Sequence, residues 1–239
     1  MSRSAIHQLF ACAALLSWST AAAAANAPDP VEQLELEGGW SGEAIVDVGH
    51  GSEFQLYRSI GDGVALGFEV ESEGTAVEHL GVGALIGVAD DLGLLVQLDA
   101  DARGRPSEAS ALLIAEVQRG PWSATANLAL RHGWRGEFAG PALDYAWGLR
   151  AAVTRRVAVG VEGAGRMAAS ETRRAEGPGH FFGMGVVLTP RTRGATTPEF
   201  GILLLREASV SNSPVLLRAS VQLNLAHPPR AQRSEEDKR

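Results

Sequence analysis

The chain has 239 residues, a formal charge of −7 and a single cysteine, Cys12. That length suits one domain, and the acidic balance argues against nucleic acid as a partner. No apolar run beyond residue 25 reaches the ~20 residues a membrane-crossing helix needs, whereas a crossing strand needs only ~9–11 alternating ones.

Residues 1–25 read as an export leader. Arg3 supplies the positive start, Leu9 to Trp18 the apolar centre, and Ala21 to Ala25 the small residues before a cut near Ala25, with Ala27 as the alternative. The leader's only charged side chain is Arg3, so without that +1 the rest of the chain stands at −8 rather than −7. Cys12 precedes most of the apolar run, the reverse of a lipidation box, and its loss with the leader leaves no thiol and no disulfide. Disulfides are the usual staple of small exported domains, so a closed hydrogen-bonded sheet is the expected substitute.

Asn26 to about residue 35 form a short polar lead. From there the sequence alternates with a period of two, the mark of a strand with one apolar and one polar face. Strand one, about Leu36 to Val48, sets Trp40, Ala44, Val46 and Val48 against Glu43 and Asp47. Glu53 to Ile60 and Val64 to Glu71 form a hairpin around Gly61-Asp62-Gly63. Its second arm sets Val64, Leu66, Phe68 and Val70 against Ala65, Gly67, Glu69 and Glu71. Strand four, about Ala76 to Val88, ends at the Asp90-Asp91 turn, and strand five opposes Leu94, Val96 and Leu98 to Gln97, Asp99 and Asp101. Strand six opposes Leu113, Ala115 and Val117 to Ser110, Glu116 and Gln118, and Gly120-Pro121 turns it into strand seven, where Trp122, Leu128 and Leu130 oppose Asn127 and Arg131.

Strand eight carries Tyr145, Trp147 and Leu149 against Asp144 and Arg150. Strand nine follows a tight turn at Thr154-Arg155 and sets Val157, Val159 and Val161 against Glu162 and Arg166. Strands ten and eleven carry Phe182 to Leu188 and Phe200 to Leu204. Strand twelve, Val215 to Ala226, sets Leu217, Val221 and Leu223 against Arg218 and Gln222. The polar tail 227–239 reads as disordered. The whole predicts an all-β fold, an antiparallel up-and-down transmembrane β-barrel of about 12 strands (10–14), over residues 36–226.

Alternation alone does not say which face meets the solvent. Carboxylates and arginines at mid-strand, with Gly, Ala and Ser beside them, favour a polar lumen and an apolar exterior over a soluble barrel. The lumen-lining candidates are Glu43, Asp47, Glu69, Glu71, Gln97, Asp99, Glu116, Arg131, Arg150, Glu162, Arg166, Arg218 and Gln222. Glu53, Asp101, Asp144 and Arg206 are read as inward charges with them. They suggest an acidic wall facing a basic one, either across an open passage or paired into a plug. Tyr57, Trp122, Tyr145, Trp147, Phe182 and Phe200, near strand ends, are the candidates for interfacial aromatic girdles. If the N-terminus starts in the periplasm, four of five periplasmic connections are tight and the longer loops lie outside.

The hairpin Ser59-Ile60-Gly61-Asp62-Gly63-Val64-Ala65-Leu66 and the turn Val88-Ala89-Asp90-Asp91-Leu92-Gly93-Leu94 resemble Gram-negative outer-membrane barrels, nearest the MetA-like phenol-degradation or transporter group. The resemblance implies outer-membrane lipid and the barrel-assembly machinery as partners, and passage of small solutes as the role. Such barrels usually end in an aromatic residue, whereas the last strand here ends Asn224-Leu225-Ala226.

Other chemistry has little support. His50, His79, His132 and His180 match no metal spacing, so no cofactor and no metal are expected. Ser170 and Ser211 with His180 lack a nucleophile-elbow setting, so an enzyme such as a surface lipase or acyltransferase is not the expected reading. A plugged structural or interaction barrel and a soluble periplasmic β-protein remain the alternatives.

Overall fold

The computed structural model describes residues 39–47, 51–61, 63–73, 76–134, 139–169, 179–190, 196–208 and 215–226. The expected leader, lead segment and tail lie outside them. Twelve strands run as β1 (Gly39–Asp47), β2 (Gly51–Gly61), β3 (Val64–Glu73), β4 (Ala76–Ala89), β5 (Leu92–Asp101) and β6 (Pro106–Arg119). They continue as β7 (Trp122–Gly133), β8 (Gly140–Thr154), β9 (Val157–Ala169), β10 (His180–Leu188), β11 (Thr196–Glu207) and β12 (Val215–Ala226). Each pairs antiparallel with its chain neighbours, and β1 pairs with β12 from Gly39↔Ala226 to Asp47↔Arg218, so the sheet closes on itself. Closure leaves no unpaired edge and supplies the hydrogen-bonded framework that a chain without disulfides needs. The strand with the non-aromatic end, β12, is the closing strand.

The two ends of the barrel differ. At one end β2–β3, β4–β5, β6–β7 and β8–β9 are joined by two residues each, and only the β10–β11 connection is longer. Gly63 (φ 75°) and Gly120 (φ 60°) take the left-handed backbone that these tight connections require. The opposite end carries most of the longer connections, with β9 ending at Ala169 and β10 resuming only at His180, although β3 and β4 are joined there by two residues. We call these the short-turn and long-loop ends. On the long-loop side, Asp101 ties down its loop by accepting the Arg103 and Arg105 backbone N–H groups at 2.9 and 3.0 Å and the Arg105 side chain.

The faces are inverted relative to a water-soluble barrel. Outward side chains include Val82 (60% exposed), Leu130 (59%), Met184 (68%) and Ile202 (57%). Inward ones include Gln55, Asn127, Arg218 and Gln222, all buried. An apolar surface wrapping a whole barrel is costly in water and matches a hydrocarbon solvent.

Two glycine positions show how large rings seat on the pleat. The Tyr57 ring lies over Gly67 on the inner face, with a Cβ there falling 2.7 Å from the ring's Cγ. Trp147 covers Gly163 on the outer face, where a Cβ would lie 2.6 Å from Nε1. Gly67→Val therefore drives Tyr57 off its seat, and the expected loss is about 1–3 kcal/mol of barrel stability, read from the midpoint of urea unfolding.

Candidate functional site: the inner wall

The inner wall is built by strand parity. On β2, β3 and β5 the inward positions bring Glu53, Gln55, Glu69, Gln97 and Asp99 together. The inward positions of intervening β4 are Gly81 and Gly83, so side chains from β3 and β5 meet over a bare backbone. A Cβ on Gly81 would fall 2.8 Å from Gln97 Nε2 and 3.3 Å from Glu69 Cβ. Gln97 Nε2 donates to Glu69 Oε2 at 2.7 Å and to Asp99 Oδ1 at 3.0 Å. Gln55 Nε2 donates to Glu53 and, at 3.4 Å, to Glu69. Two neutral amides thus lace three carboxylates into a ladder. An amide N–H stabilises the carboxylate without cancelling its charge.

The other half of the wall is organised by arginine. Arg131 of β7 reaches Glu108 Oε1 on β6 at 3.3 Å and Asp144 Oδ2 on β8 at 3.4 Å. Arg166 of β9 donates from Nε to Asp144 at 2.9 Å, and Arg150 of β8 pairs with Glu162 of β9 at 3.1 Å. These pairs run sideways between adjacent strands along the wall. Between Arg150–Glu162 and the pair Glu43 and Arg218 lies a cavity of about 50 Å³, floored by Gly160, Gly185, Gly201 and Ser220. That is room for a few waters.

Two aliphatic patches complete the inner face. Ala65, Leu85, Leu95 and Ile114 pack together on β3–β6 with Tyr57 and Leu112 beside them. Phe181, Leu203, Leu205 and Leu216 do so on β10–β12. Asn127 sits inward opposite Ile114 and Ala146, 5% exposed, and neither its Oδ1 nor its Nδ2 has a protein partner. A buried amide left unsatisfied costs on the order of 1–3 kcal/mol. A water at that level of the lumen would relieve the cost.

Of the expected lumen residues, Glu43, Glu69, Glu71, Gln97, Asp99, Glu116, Arg131, Arg150, Glu162, Arg166, Arg218 and Gln222 all fall on the inner face of their strands. The Asp47 side chain lies outside the described residues, though its backbone pairs with Arg218. Trp122, Tyr145, Trp147, Phe182 and Phe200 point outward; Trp122 and Phe182 lie near strand ends, whereas Trp147 sits at the middle of β8. His50, Ser170 and Ser211 lie outside the described residues. His79 faces inward opposite Glu71 and Asp101, and His132 and His180 face outward. No group of three metal-binding side chains gathers among the described residues.

Three expectations are corrected. Tyr57 is an inner-face residue, seated over Gly67 and packed on the Leu85–Leu95 patch, not part of a girdle. Arg206 points outward, in register with outward Phe182 and Val215. The lumen is not lined by small and polar residues alone, since Leu85, Leu95, Leu112 and Ile114 occupy it too. Polar wall residues that the expectation lacks include Gln55, Glu108 and Glu199. Counting by twos back from Ser110 places Glu108 inward, and counting forward from Glu53 places Gln55 there.

No family model matches the sequence, and no curated protein does either. Solved structures do. An outer-membrane channel from Pseudomonas putida F1 superposes with a TM-score of 0.52 at 14% identity, covering 82% of this chain and 98% of the channel. The KdgM porin, solved in complex with disordered oligogalacturonate, superposes with a TM-score of 0.51 at 11% identity, covering 77% of this chain and 98% of the porin. The chain thus shares the 12-stranded antiparallel barrel fold of porin-like outer-membrane proteins.

Proposed function

We propose that the protein is an outer-membrane barrel that acts as a passive channel for small polar solutes. The observation that carries this reading is the arrangement of the inner wall. Its charges are tied sideways, Arg131 to Glu108 and Asp144, Arg166 to Asp144, Arg150 to Glu162, under an exterior of exposed aliphatic side chains. Lateral pairing satisfies these charges along the wall rather than across the lumen. By the loop-length rule for such barrels, the short-turn end faces the periplasm and the long-loop end faces outside. Membrane lipid and, during biogenesis, the barrel-assembly machinery are the partners of that reading. A closed lumen is the second reading, favoured by the aliphatic patch at Leu85, Leu95 and Ile114.

Two measurements on protein purified from outer membranes separate these. Unheated protein is expected to migrate faster than boiled protein on a denaturing gel, as a detergent-resistant barrel does. Reconstituted into planar bilayers, it is expected to give discrete conductance steps. Recovery in the periplasmic fraction with no shift on boiling overturns the membrane reading; a heat-modifiable barrel without conductance overturns the channel and leaves the closed barrel.

A further inference from the structure

The inner wall of β8–β12 carries an ion pair that stands on nearly bare backbone. One row of inward positions across these strands reads Arg150, Gly160, Gly185, Leu203 and Arg218. In the next row towards the long-loop end, Glu162 lies between Gly148 and Gly183. Glycine therefore flanks Glu162 on both sides and Arg150 on the β9 side. A Cβ at Gly160 would lie 3.0 Å from Arg150 Cγ, so the bare position lets the arginine lie along the wall. Among the described residues the pair makes one bond, from Arg150 Nη2 to Glu162 Oε1 at 3.1 Å. A guanidinium carries five N–H donors and a carboxylate two acceptor oxygens. Among the described residues, then, most donors of Arg150 and the Oε2 of Glu162 are unused. Both side chains are reached by solvent, at 26% and 16% exposure.

These unused groups open onto the cavity of about 50 Å³ over Gly160, Gly185 and Gly201. A water needs about 10–15 Å³ of such space, so the cavity takes about three to five waters, or one solute of a handful of non-hydrogen atoms. Ile45, Val187 and Leu203 border the same space and leave room for a small apolar group. A lone anion drawn to Arg150 meets Glu162 beside it, and a lone cation drawn to Glu162 meets Arg150, so the second member of the pair opposes each. A small zwitterion satisfies both. Its carboxylate accepts from the free N–H groups of Arg150 and its ammonium donates to Glu162 Oε2, a charge-assisted hydrogen bond at each end. In an α-amino acid the two charges are as close together as those of the pair. From this juxtaposition we propose that the bay binds a small α-amino acid, held by Arg150 and Glu162, on its way through the barrel. Transit rests on the channel reading; binding requires only the folded barrel.

Saturation-transfer NMR of L-alanine with the purified, heat-modifiable barrel in deuterated detergent tests it. Propionate and ethylamine are the comparison probes, each being alanine without one of its charged groups. The expected signal for alanine is at least fivefold that of either, a comparison that requires no variant to fold. Arg150→Gln and Glu162→Gln, each checked for heat-modifiability, should each reduce the alanine signal at least fivefold. Arg119→Gln, at an outward position of β6, should leave it unchanged. A signal from propionate or ethylamine equal to that of alanine overturns the zwitterion assignment. An alanine signal that survives both Arg150→Gln and Glu162→Gln overturns the placement in this bay. No alanine signal overturns the site, and the channel reading then stands or falls on conductance alone. Alanine binding to a heat-modifiable barrel that does not conduct upholds the site and overturns its place on a passage.

Discussion

Val82→Arg is expected to cost about 2–4 kcal/mol of barrel stability, measured by urea titration in lipid vesicles. Val82 lies near the middle of β4, opposite outward Phe68 on β3 and Leu98 on β5, and is 60% exposed. In water such a position tolerates arginine within about 0.5 kcal/mol, because an exposed valine has little to lose. In a bilayer the same guanidinium must be desolvated or must drag water and headgroups inward. The size of the penalty thus reports which solvent the exterior meets. The matched control is Gln97→Arg on the inner face, between Glu69 and Asp99, where a cation meets carboxylates and the expected cost is near zero. A soluble barrel would give small effects at Val82, and that outcome would remove the membrane reading.

Strand parity was legible in the sequence, and the barrel follows from it. The second arm of the β2–β3 hairpin alternates cleanly, and β12 was bounded at Val215 and Ala226, as the structure has it. The errors arise where chemical type was allowed to override parity. Arg206 keeps step with outward Phe200, Ile202 and Leu204, yet its charge suggested the lumen. Tyr57 keeps step with inward Glu53 and Gln55, yet its ring suggested a girdle. Leu85, Leu95 and Ile114 keep step with inward Gly83, Gln97 and Glu116, so parity places them in the lumen although their aliphatic side chains suggest the exterior.

What no alternation pattern contains is the lateral register. That Gln97 of β5 would reach Glu69 of β3 across β4 depends on Gly81 and Gly83 falling at that height. The carboxylate ladder was legible as residues and illegible as a site, because its members belong to three strands joined only by pairing offsets.

That ladder gives the charge preference of the passage its direction. On β1–β6 the inward ionisable residues include Glu43, Glu53, Glu69, Glu71, Asp99 and Glu116, besides Glu108, which pairs with Arg131, while the arginines of those strands, Arg58 and Arg119, fall at outward positions opposite Trp40 and Trp122. On β7–β9 the arginines are already matched, Arg131 to Glu108 and Asp144, Arg166 to Asp144 and Arg150 to Glu162. A permeating ion therefore meets compensated charge on one side and carboxylates held by neutral amides on the other. Amide donors fix the geometry of Glu69 and Asp99 without lending them a positive charge, so the field into the lumen is negative. Reconstituted protein in a potassium chloride gradient is expected to show a reversal potential of cation-selective sign. The double variant Glu69→Gln, Asp99→Asn should move it most of the way to zero at unchanged barrel stability. Glu162→Gln should move it much less, because Arg150 already offsets that carboxylate. Conductance with anion preference would show that the arginine side governs the passage, and that the carboxylates of β2–β5 stand aside from the ion path.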